Sequence, residues 1–126
     1  KKNLSNNQAI TDKLFMNGSE VFLFTMDAVP SSVNKVLIKA GISLNDIDFF
    51  VFHQASKLVI DNLIRKLEIN PDKVFVNYEN IGNTVSASIP IALSDMHKNK
   101  KLKKGNLIML VGFGVGLSWG STLIRW

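Results

Sequence analysis

Two short trios hold the residues best placed to do chemistry. "FHQ" at 52–54 closes an apolar run, and "GNT" at 82–84 precedes a stretch with helical spacing. They set a titratable ring, His53, and a carboxamide that cannot titrate, Asn83, 30 positions apart. Each has an ordinary structural reading: a lone histidine is most often a hydrogen-bonded structural residue, and asparagine is a favoured helix cap. Placement lifts both above those readings, because parallel-sheet domains expose their sites where strands end and helices begin. The one other histidine, His97, lies on a polar helix end beside a lysine-rich loop, too poor a ligand set for zinc. The chain has no cysteine, which removes disulfides, thiolate metal sites and any thiol nucleophile.

The elements that must position these residues follow from periodicity. After Gly18, the residues Val21, Phe22, Thr25, Ala28, Val29, Val33, Val36 and Leu37 recur at three-and-four spacing, which predicts a helix ended by Gly41. Pro30 interrupts it, so a bend or two abutting helices are expected. "IDFFVFHQ" reads as a strand buried on both faces, closed by His53. Helical spacing returns over 56–67, "KVFVN" reads as a second strand, and a helix is expected over 83–97 with its narrow Ser86-Ala87-Ser88 segment suited to close backbone approach. "NLIMLVGFG" and "LSWGSTLIRW" read as two further strands joined by a glycine turn. That pair should be antiparallel, and the helix-linked strands parallel. The alternation predicts a layered α/β unit. "GFGVG" at 112–116 lacks the following helix that a dinucleotide site needs, so it reads as a tight turn with a backbone N–H facing a cavity.

With 126 residues, 46% hydrophobic and 20% charged, the chain is expected to form one globular domain. Its apolar stretches read as too short and glycine-rich to cross a bilayer, and no basic-then-apolar leader opens it, so a cytoplasmic protein with no membrane partner is expected. Because it starts at Lys1, it reads as an excerpt of something longer. The net charge of +5 is local. Without Lys1, Lys2, Lys98, Lys100, Lys101, Lys103 and Lys104, eight of the 15 basic residues remain against ten acidic ones. "KNKKLKK" therefore reads as a solvated loop, and no nucleic-acid partner is expected.

The stretches "MNGSEVF", "HQAS", "NIGNTVSASIPIAL" and "GFGVGLSWGSTLIRW" together resemble β-ketoacyl-acyl carrier protein synthase III, a thiolase-like condensing enzyme, in register from about Phe15 to Trp126. The resemblance implies a Cys-His-Asn site whose cysteine lies in the N-terminal half of a duplicated fold, with His53 and Asn83 matching the other two members. The chain then corresponds to the C-terminal half: an arm or linker over 1–17, and a thiolase-like half-domain over 18–126 with a mixed sheet of about four strands. The resemblance also implies a backbone oxyanion donor at Val115, where the family usually has glycine, and a pantetheine tunnel touching Met16, Gly18, Phe22, Ala55 and Ser56. Lys57, Arg65 and Lys66 match a basic rim for docking acidic acyl carrier protein, with Leu58 where the family usually has arginine.

The activity so implied is decarboxylative Claisen condensation of an acyl thioester with malonyl-carrier protein, in fatty acid or related acyl-chain synthesis. No cofactor of its own is implied, the substrates arriving on coenzyme A or phosphopantetheine. The missing N-terminal half is an implied partner, and the full-length protein an implied homodimer. Without the cysteine, this half alone is expected to be inactive. The alternatives are a non-catalytic thiolase-like module that binds an acidic carrier, and a polyanion-binding domain worked by the lysine loop.

Overall fold

The computed structural model describes residues 16–114 and 116–126. Helix α1 (Gly18–Ala40) opens on Asn17, whose side chain accepts a hydrogen bond from the Glu20 N–H, and closes on Gly41 in the left-handed conformation. It is one continuous helix through Pro30, against the alternative of two abutting helices. An internal proline costs about 3 kcal/mol. Val29 and Val33 flank it fully buried, and each buried aliphatic side chain contributes about 1.5–3 kcal/mol, enough to offset that cost. At 23 residues with a mean hydropathy of 1.3 over 18 of them, α1 is also long and apolar enough to span a bilayer, contrary to the sequence reading. Here its stripe of Thr25, Ala28, Val29, Val33 and Leu37 is buried instead against the sheet and α2.

Strand β1 (Phe49–Phe52) follows, then α2 (Lys57–Leu67), capped by Ser56. A short helix α3 (Tyr78–Ile81) leads to α4 (Ser88–Lys98), and the hairpin β2 (Leu107–Gly114) and β3 (Ser118–Arg125) completes the chain. The sheet runs β1-β2-β3, with β1 parallel to β2 and β2 antiparallel to β3. Three strands are described where about four were expected. "KVFVN" contributes only an isolated parallel bridge, Phe50 to Val74, with the Phe75 N–H donating to the Phe50 carbonyl. Beyond it a side chain replaces the ladder: Gln54 Nε2 donates to the Phe75 carbonyl at 3.4 Å, and Gln54 Oε1 accepts from the Asn77 N–H at 3.0 Å.

Strand alternation sorts the core onto the two faces of the sheet. Phe50 and Phe52 join Met109, Val111 and Phe113 under α1 and α2, while Val51 joins Ile108, Ala92 and Met96 under α4. A three-layer α/β/α arrangement results, in which His53 follows Val51 on the side of α4.

Candidate functional site

His53 sits just beyond β1, its N–H still donating to the Val111 carbonyl at 2.8 Å, so its backbone is held by the sheet. The ring Nδ1 lies 2.7 Å from the hydroxyl of Ser88, the buried first residue of α4, and Phe113 packs on the ring edge-on with centroids 5.3 Å apart. Burial pushes the imidazole below its ordinary pKa of 6.5. The Val85 carbonyl, which favours the charged ring, opposes this less strongly. The net shift favours the uncharged ring.

Asn83 does not cap the helix expected over 83–97. A 3-10 turn at Val85–Ala87 intervenes and α4 starts at Ser88. The reason is local: Val85 has φ +51, a left-handed conformation that β-branched residues rarely adopt, and it separates Asn83 from the helix proper. Asn83 Oδ1 instead accepts from the Val85 N–H at 2.9 Å. That bond fixes the amide's orientation, since an N–H requires the oxygen, and the NH2 group has no protein acceptor among the described residues.

One open cavity of about 1050 Å3 is lined by both His53 and Asn83. Met16, Gly18, Phe22, Ala55 and Ser56, grouped from sequence as a tunnel wall, line the same cavity. Ser56 is already engaged: its Oγ accepts from the Val59 N–H at 3.4 Å, capping α2. Lys57, Arg65 and Lys66 are exposed on α2 and do not line the cavity. Lys57 is paired with Asp61 at 2.7 Å, and Arg65 donates to Asn62 Oδ1 at 2.8 Å. Val115 lies outside the described residues. No cluster of potential metal ligands occurs among those described.

Sequence reasoning passed over Ser88, Phe113, Val85 and Trp119, which line the cavity too. Ser88 left a faint signal, since small residues at 86–88 point to close approach. The alternation of β2 marks Phe113 only as core.

The arrangement offers one neutral imidazole and one oriented carboxamide to the same space, two hydrogen-bond donors suited to an oxygen that gains negative charge. The chain is 48% identical over 115 residues to the β-ketoacyl-[acyl-carrier-protein] synthase III of Clostridium novyi, covering 91% of this chain and 36% of that protein. Against its counterpart from Clostridium acetobutylicum it is 45% identical over 116 residues, covering 92% and 36%. The crystal structure of 3-oxoacyl-[acyl-carrier-protein] synthase III from Aquifex aeolicus superposes with a TM-score of 0.86 at 40% identity, over 89% of this chain and 36% of that one. The chain thus spans about a third of the length of the relatives it matches. A family model described as "3-Oxoacyl-[acyl-carrier-protein (ACP)] synthase III C terminal" matches residues 37–126, and the chain belongs to that family.

Proposed function

We propose that this chain is the C-terminal catalytic portion of a condensing enzyme that joins an acyl thioester to malonyl-carrier protein with loss of CO2. The observation that carries the reading is the convergence of His53 and Asn83 on one cavity. In the proposed reaction an acyl group is held as a thioester on a cysteine supplied by the N-terminal half. Malonyl thioester then breaks its bond to the carboxylate, releasing CO2, and the electron pair passes onto the thioester oxygen as an enolate. The neutral His53 N–H and the Asn83 amide donate to that oxygen. Because both are held in place beforehand, little reorganisation opposes the step. The enolate carbon attacks the acyl carbonyl and the cysteine thiolate leaves.

On this reading Met16, Gly18, Phe22, Ala55 and Ser56 face the pantetheine arm that carries the substrate, and the backbone N–H of Val115 serves the acyl oxyanion. Arg65 and Lys66, exposed on α2, and Lys57, shared with Asp61, would meet the acidic carrier protein. The half-domain over 18–126 works beside its N-terminal half, in a cytoplasmic homodimer needing no cofactor of its own. By itself it is inactive for want of the thiol. The test is malonyl-thioester decarboxylation by the longer protein and by its His53→Ala and Asn83→Ala forms. Each substitution is expected to lower the rate roughly 100- to 1000-fold. Unchanged rates in both reject the reading and favour a non-catalytic carrier-binding module.

A further inference from the structure

Ser88 opens α4 with 1% of its surface exposed. Its Oγ lies 2.7 Å from His53 Nδ1 and 3.3 Å from the backbone nitrogen of Gln54. The Gln54 N–H can only donate, so Oγ accepts there. The hydroxyl hydrogen of Ser88 then needs an acceptor, and among the described residues the hydrogen bonds offer it only His53 Nδ1. Were Nδ1 itself protonated, that buried hydroxyl would be left without a partner, an unfavourable arrangement. One pattern satisfies all three groups: Gln54 N–H to Ser88 Oγ, Ser88 O–H to His53 Nδ1, and the ring proton on Nε2. With Nδ1 held by α4, Nε2 is the nitrogen left for the cavity.

We propose that Ser88 is a positioning residue that fixes His53 in the tautomer protonated on Nε2, so that the ring presents an N–H to the enolate oxygen. The inference rests on the enolate reading for its purpose, while the tautomer stands on geometry alone. Phe113, edge-on at 5.3 Å, limits ring rotation. The opposite tautomer would offer the cavity a lone pair, which repels a developing anion.

The test uses long-range proton–nitrogen NMR of the longer protein with labelled histidine, the His53 signals being assigned by their absence in His53→Ala. Wild type is expected to show the Nε2–H tautomer, and Ser88→Ala a mixture of both. In Ser88→Ala, kcat for malonyl-thioester decarboxylation should fall roughly tenfold with KM little changed, less than the roughly 100-fold or greater loss from deleting a donor outright. Ser88→Thr, which keeps the hydroxyl, should restore both the tautomer and most of kcat. An Nδ1–H tautomer in wild type overturns the proposal, as does a Ser88→Ala tautomer unchanged from wild type. If Ser88→Ala fails to fold, the wild-type and Ser88→Thr spectra decide. Should His53→Ala decarboxylate normally, the enolate reading falls, and the spectra still judge the tautomer.

Discussion

Replacing Gln54 with methionine should cost far more than its place outside any strand suggests. Gln54 has no exposed surface, and its amide donates to the Phe52 carbonyl at 2.8 Å and the Phe75 carbonyl at 3.4 Å while accepting from the Asn77 N–H at 3.0 Å. Methionine has nearly the same length and volume, so no large cavity opens and the lost hydrogen bonds dominate. The Asn77 N–H, in a residue only 6% exposed, is left without its partner, which costs about 1–3 kcal/mol. Losing the strong 2.8 Å bond adds about 0.5–1.5 kcal/mol, and the long one to Phe75 adds little. The sum is roughly 1.5–4.5 kcal/mol. Equilibrium urea unfolding followed by tryptophan fluorescence measures it, with an unchanged slope showing that the unfolded state is not altered. A loss below about 1 kcal/mol refutes the idea that this amide stands in for a strand ladder.

Two further outcomes follow from the site and its supports. His53 has a folded pKa below its ordinary 6.5, so the unfolded chain binds more protons as pH falls through that value. Stability should therefore decrease as pH drops from 6.5 toward the lower folded pKa, and His53→Gln should flatten that part of a urea-midpoint profile. Ser56→Ala removes the cap of α2 and should cost about 1 kcal/mol by the same unfolding measurement, while Ser56→Asp should cost little.

Helices α1, α2 and α4, the buried strand before His53 and the direction of each strand pairing were legible because periodicity and glycine placement report burial directly, whereas the short α3 (Tyr78–Ile81) falls in a stretch, "YENIGN", whose composition reads as a loop. "KVFVN" was misread because its composition is that of a strand while its pairing ends after Val74, where Gln54 supplies hydrogen bonds that no period can reveal. The extent of α1 was obscured by Pro30, whose local penalty is overridden by burial of Val29 and Val33. His53 and Asn83 were legible as a pair from their positions at element ends. The geometry at Asn83 was not, because the left-handed Val85 contradicts the preference of its own residue type and only the folded chain shows it. Ser88 was hidden for a related reason: its hydroxyl matters through a contact 35 residues away in sequence.

Among the described residues β3 is hydrogen-bonded on one side only, to β2, and of its eight residues, Ser118–Arg125, Arg125 alone is charged and none is proline. Natural sheets usually guard such a margin with lysines, prolines or bulges. Left open, it is a template for any extended peptide that meets it. When the chain is handled alone, its association state will follow how concentrated it is, through main-chain pairing rather than side-chain fit.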